Sequence, residues 1–137
     1  MAVEINILAV FGAAVVSTVL GFLWYGPVFG GEWRKLMGVT DKMMKEAKKT
    51  NMAPIFGVNF VATLLMSYVM GHFVDYVGAT TFGNGAVLGI WLWVGFFATS
   101  MLGSVLWEKK PVKLYMVNAL FYLVSLMLMA GIQAVWV

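Results

Sequence analysis

The sequence predicts an all-α integral membrane protein. It would have four transmembrane helices in one bundle, and a short amphipathic helix in the interface between spans one and two. Three observations carry this reading. The chain of 137 residues is 62% hydrophobic and only 11% charged, whereas an ordinary soluble domain is about 45–50% apolar and about 25% charged. A soluble chain so poor in polar residues could not cover its own surface, so its solvent is a bilayer. Four apolar segments each reach the roughly 20 residues that a crossing needs. All nine Lys and Arg fall outside them or at their edges, in two connections.

Span one covers residues 5–24 and holds no charge. It lacks the basic leader and small-residue cleavage site of a signal peptide, so it is expected to be a retained helix. Span two covers 54–76, opened by Pro54 at a first-turn position where the missing N–H is tolerated. Span three covers 86–107 and span four 112–137. The length suggests a single membrane domain over 1–137.

Arg34, Lys35, Lys42, Lys45, Lys48 and Lys49 lie between spans one and two, and Lys109, Lys110 and Lys113 between spans three and four. With four spans these connections share one side of the membrane. The other connection, "GATTFGNG" (Gly78 to Gly85), has no basic residue. Positive charge is retained on the cytoplasmic side. The expectation is a multi-pass protein of a bacterial-type inner membrane, with both termini outside the cytoplasm. The net charge of +3 is explained by this topology, and no nucleic-acid partner is implied.

The stretch "LGFLWYGPVFGGEWRKLMG" (Leu20 to Gly38) is dense in aromatic residues and glycine. Trp24 and Tyr25, with Trp107 at the end of span three, are expected to form an aromatic belt whose polar handles sit among headgroups. Gly26-Pro27 should stop the first helix, because proline lacks the N–H and clashes with the preceding turn. Phe29, Trp33, Leu36 and Met37 recur at helical spacing, as expected for an anchor lying flat in the interface within 28–50. Thr40 is a candidate N-cap, with Asp41–Lys45 and Lys42–Glu46 as pairs one turn apart.

Trp24, Tyr25, Gly26, Pro27, Phe29 and Trp33 carry a resemblance. "LGFLWYGPVFGGEW" resembles the signature of a family of small bacterial membrane proteins called domain of unknown function 1761. The resemblance implies about four spans, with a Trp-Tyr-Gly-Pro turn after the first and a further Trp beyond it. It implies no particular activity.

The inventory for chemistry is nearly empty. There is no cysteine and a single histidine, so thiolate chemistry, disulfides and a His-based metal cluster are all absent. No phosphate-binding loop of the Walker type occurs. "GNGAVLG" (Gly83 to Gly89) is read as a flexible turn leading into a small-residue face. No catalytic, metal-ligating or cofactor-binding residue is assigned, and no cofactor is expected.

His72 and Asp75 are the acidic and basic groups inside span two. Three residues apart, they share a helix face, and an ionisable intramembrane pair is a candidate proton or cation site. The plainer reading places both at the wetted outer boundary. Each span also has a small or polar stripe: Asn6, Ala13, Ser17 and Gly21; Asn59, Thr63 and Ser67; Gly85, Gly89, Thr99 and Gly103; Asn118, Tyr122, Ser125 and Gln133. Such faces join membrane helices by close approach and interhelical hydrogen bonds.

The two hairpins hint at a parallel repeat. "LGFLW" parallels "LGSVLW", and "IFGVN" parallels "LYMVN". Asn59 and Asn118 would then lie at one depth and face a common axis. Two function classes follow. The first is a structural or accessory membrane subunit, a homo-oligomer or part of a larger membrane complex. The second is a small oligomeric transporter or channel using the polar faces and the His72/Asp75 end. An enzyme is disfavoured, because no acid, base and nucleophile converge.

Overall fold

The computed structural model describes residues 5–136. Its helices run α1 (Ile7–Val28), α2 (Gly30–Met37), α3 (Asp41–Lys49), α4 (Ala53–Val77), α5 (Phe82–Leu106) and α6 (Val112–Val135). α1, α4, α5 and α6 are long and apolar enough to cross a membrane. The protein is therefore an all-α membrane bundle. α2 and α3 fill the lysine-rich connection between the first two spans.

Local chemistry sets the ends. Asn6 caps α1, its Oδ1 accepting from the N–H of Leu8 (3.1 Å) and Ala9 (3.3 Å). Its Nδ2 also donates to the Trp136 carbonyl at 3.4 Å, so it is both a cap and a contact to the end of α6. Thr40 caps α3 by accepting from Met43 N–H at 3.2 Å. Gly78, at φ 71°, ends α4 in the left-handed conformation that glycine adopts without cost. There the Ala79 N–H returns to the Val74 carbonyl at 3.1 Å.

Two expectations need correction. Span three starts at Phe82, not Ala86, because Thr81 Oγ1 caps it by accepting from Asn84 N–H (3.1 Å). The flexible turn expected at the start of Gly83 to Gly89 is therefore helix, while the small-residue face expected beyond it is present. Its purpose is proximity: a Cβ on Gly85 would lie 2.5 Å from the Ala130 carbonyl oxygen, and one on Gly89 2.7 Å from that of Leu126. The second correction is that Gly26-Pro27 does not stop α1. The backbone widens to a π-type turn over Trp24–Val28, and Phe29 N–H bonds to the Trp24 carbonyl at 2.8 Å. A wide turn absorbs the bond that proline cannot donate. The direction changes only at Phe29 (φ −119°, ψ 7°). α5 has a second wide segment, Trp93–Ala98.

α6 is the best covered span, with 39% of its apolar window buried against 11% for α4 and for α5. It packs on α5, α1 and α4. The core joins Ala13 of α1, Met70 and Val74 of α4, and Leu126, Met129, Ala130 and Ala134 of α6. Small residues let the backbones approach, as membrane helices require in the absence of a hydrophobic drive. Buried hydroxyls knit the same contacts. Ser17 and Ser125 share a 2.5 Å hydrogen bond, and Ser67 Oγ–H donates to the Val10 carbonyl at 2.8 Å. Gln133 Nε2 donates to the Ser67 carbonyl at 2.8 Å.

α4 and α5 leave an open apolar groove of about 430 Å³ between them, lined by Leu65, Val69, Phe73, Leu92 and Phe96 and floored by Leu126. This bears on the repeat. A two-fold relation between hairpins would match the packed α1–α6 pair with a packed α5–α4 pair, and that second place is the groove. The register between α4 and α6 nevertheless persists. Aligning Asn59 with Asn118 also aligns Met70 with Met129 and Gly71 with Ala130, all of them buried.

Candidate functional site

The site is built at the lysine-rich end, around the Trp-Tyr-Gly-Pro turn. The wide turn swings Trp24 and Tyr25 toward the first turns of α6. The Trp24 indole N–H donates to the Val117 carbonyl at 3.0 Å, and its ring lies 4.8 Å from Phe29. The Tyr25 hydroxyl donates to Asn118 Oδ1 at 2.7 Å, and its ring meets Phe121 edge-on at 5.4 Å. The sequence reading gave these two polar handles to the headgroup layer. They are spent inside the bundle instead, because a carbonyl and a carboxamide of α6 lie within reach. Trp107, by contrast, is 86% exposed at the end of α5.

Gly26 and Pro27 are exposed, and their contribution is the turn itself. Gly30, which sequence reasoning did not single out, is where α2 crosses closest. A Cβ there would lie 2.6 Å from the Tyr25 carbonyl oxygen. Trp33, one turn further, meets the Tyr25 ring edge-on at 5.9 Å. α2 is also tied to α6 by an ion pair, Glu32–Lys113, at 2.9 Å. The Lys113 ammonium, hydrogen-bonded to the Glu32 carboxyl, holds it below its usual range, and Lys35 adds to this. The pairing is present above the normal carboxylate value of about 4.3 and is lost as pH falls through the lowered one.

These contacts border an open cavity of about 810 Å³ at the lysine-rich end. Trp33 and Met37 of α2, Ser100 and Met101 of α5, and Leu114, Asn118 and Tyr122 of α6 line it. Glu108 and Lys110, 3.7 Å apart, stand at its mouth. A second cavity, of about 390 Å³, lies deeper between α1, α4 and α6. Tyr25 and Tyr122 line both. The deeper one is uncharged and includes Ser17, Thr18, Asn59, Thr63 and Ser125. A third cavity, of about 360 Å³, opens at the opposite end between Asn6, Asp75, Gln133 and Trp136.

The structure separates the residues that the sequence paired. His72 stacks edge-on against Tyr68 at 4.8 Å, while Asp75 lines the third cavity. No ion pair joins them among the described residues. Asn118 is held by Tyr25, while Asn59 is exposed and has no side-chain hydrogen bond among the described residues. The asparagines do not pair with each other. Sequence reasoning also missed Trp93, whose indole donates to the Ala119 carbonyl at 2.7 Å. The signal was available: Trp24-Tyr25-Gly26 and Trp93-Val94-Gly95 are the same Trp-x-Gly pattern, and each opens a wide turn.

Helical spans around a clasped polar end define a multi-pass membrane protein. The chain belongs to the family described as Protein of unknown function (DUF1761), whose family model matches residues 8–134. No curated protein and no solved structure matches it.

Proposed function

We propose that the protein is a structural or accessory membrane subunit that associates with a second copy of itself through α4. Asn59 carries this reading. It lies six residues into α4, about 9 Å along the helix at roughly 1.5 Å per residue. The residue is exposed, at the rim of the deeper cavity, and its side chain has no hydrogen-bond partner among the described residues. A primary amide offers two donors and an acceptor, and hydrocarbon offers nothing in return. A carboxamide is also self-complementary, since two of them across a two-fold axis satisfy each other with a pair of hydrogen bonds. Ile55, Val58 and Ala62 form a shallow apolar concavity beside Asn59, which suits a second helix.

The test is the mass of the purified protein in lipid nanodiscs at graded dilution. The wild type is expected to be oligomeric. Asn59→Leu is expected to associate about tenfold more weakly, the equivalent of two interhelical hydrogen bonds of about 0.6 kcal/mol each. An unchanged mass distribution in Asn59→Leu contradicts the reading.

The membrane we assign is the cytoplasmic membrane, with the lysine-rich end inside and both termini outside. Reporter fusions within Lys42–Lys49 should be active in the cytoplasm, and fusions after Val137 outside it. The reverse pattern sinks this orientation.

Tyr25 and Tyr122, shared by two cavities, favour a second reading as a small transporter or channel. Flux into liposomes that falls with Tyr122→Ala or Asp75→Asn supports it. Flux no greater than in empty liposomes counts against it.

A further inference from the structure

We propose that the 810 Å³ cavity at the lysine-rich end binds an uncharged amphiphile through its carbonyl oxygens. This goes beyond the self-association reading and does not depend on it, because Asn59 does not line that cavity.

Size is the first argument. Sites for small organic ligands run from about 300 to about 1,000 Å³ and are mostly apolar, with a few placed polar groups. Here Trp33, Met37, Met101 and Leu114 supply apolar walls on three elements. Hydrogen bonding is the second. The Tyr25 hydroxyl occupies one lone pair of Asn118 Oδ1, and the Nδ2 donors have no partner among the described residues. The Ser100 and Tyr122 hydroxyls and the Trp33 indole N–H also have no hydrogen-bond partner among the described residues. Of these free groups the Asn118 amide N–H and the Trp33 indole can only donate, and the two hydroxyls can turn to donate as well. The complementary ligand presents acceptor oxygens and needs few donors of its own.

Charge is the third argument. Lys110 and Glu108 are the charged residues that line the cavity, and they pair with each other at its mouth. Lys113, nearby on α6, is engaged by Glu32. The wall formed by the half-buried Asn118 and Tyr122 and the exposed Ser100 is neutral. A neutral donor wall between apolar sides favours a carbonyl over a carboxylate, whose charge would be desolvated there without a counter-ion. The other cavities lack this combination. The deeper one has most of its hydroxyls engaged on neighbouring backbone or on each other, and the groove between α4 and α5 is almost wholly apolar.

Two sources present carbonyl oxygens on an apolar body within a membrane, a quinone ring and the ester region of a neutral glycerolipid. The experiment separates them. The full chain is reconstituted in nanodiscs of ether-linked lipid, which carries no ester carbonyl. It is titrated by calorimetry with decylubiquinone in one arm and monoolein in the other. Saturable binding of at least one probe is expected, and the arm that binds names the source. Asn118→Leu should weaken it about tenfold, as for loss of a hydrogen bond worth about 1.4 kcal/mol. Tyr122→Phe and Ser100→Ala each remove one hydroxyl and keep the packing shape, so the test survives if Asn118→Leu fails to fold. Each should weaken binding several-fold, while Thr63→Val, outside the cavity, should leave it unchanged. The proposal is overturned if neither probe binds saturably to the wild type, or if the dissociation constant is the same in Tyr122→Phe, Ser100→Ala and Asn118→Leu.

Discussion

Gly89→Leu is expected to separate α5 from α6 and to cost about 3 kcal/mol or more of bundle stability, the upper range for overpacking a well-filled contact. The clash begins at the first added atom. A Cβ at Gly89 would lie 2.7 Å from the Leu126 carbonyl oxygen, 2.8 Å from its carbonyl carbon and 2.9 Å from Met127 Cα. All three are backbone atoms, so no rotamer change relieves the overlap. One turn earlier, Gly85 meets Ala130 and Gly131 in the same way, so the helices cannot pivot about that point. The pair must move apart, and dispersion contacts along the whole interface weaken with distance. Gly83→Ala is the control on the same helix, because its Cβ would meet nothing within 4 Å. Unfolding by graded denaturing detergent should show Gly89→Leu far less stable than wild type, and Gly83→Ala close to it. Equal stability of the two variants would show that the helices do not touch there.

Trp24→Ala should be the next most damaging change, at about 3 kcal/mol, the low end for deleting a large aromatic side chain from a packed site. The ring is half-buried and lies 4.8 Å from Phe29 and 6.2 Å from Phe121. Removing it opens a void between α1 and α6 and frees the start of α2. Trp24→Phe separates the ring from its N–H. It keeps most of the contact and loses the 3.0 Å bond to Val117. Because Val117 lies within a helix whose carbonyls are already paired, nothing buried is orphaned. That variant should cost about 1 kcal/mol. The same unfolding assay checks both. A Trp24→Phe variant as unstable as Trp24→Ala would mean that the hydrogen bond, not the ring, holds the clasp.

The spans were legible because bilayer thickness acts on composition, and a charge-free run of that length has few other uses. The Thr40 cap was legible because its partner is local. The direction of Trp24 and Tyr25 was not. An amphipathic ring near a helix end satisfies its polar handle equally well among headgroups or on a neighbouring carbonyl. The small-residue stripe of α1 marked Ala13 and Ser17, which are buried, but it does not aim the two rings at the helix end. Gly83 to Gly89 supported two opposite readings, flexible turn and close-packing face. The choice was made by the α6 backbone, which no local pattern contains. His72 and Asp75 share a face by spacing, yet Tyr68 flanks the first from one turn away, and the second lines a cavity together with Gln133 of another span. The Trp-x-Gly pattern was in plain view at Trp24 and Trp93. It went unused because wide turns have no propensity rule to flag them.

The central claim is that α4 meets a second copy of the chain beside Asn59. Because the sequence has no cysteine, one introduced thiol reports on one position. Val58→Cys lies on the proposed contact, and Phe96→Cys lies on α5 away from it. The native side chains are similarly exposed, at 72% and 65%. Mild oxidation in native membranes should give a covalent dimer for Val58→Cys and little for Phe96→Cys. No dimer at Val58→Cys, or an equal yield at both positions, would contradict the account.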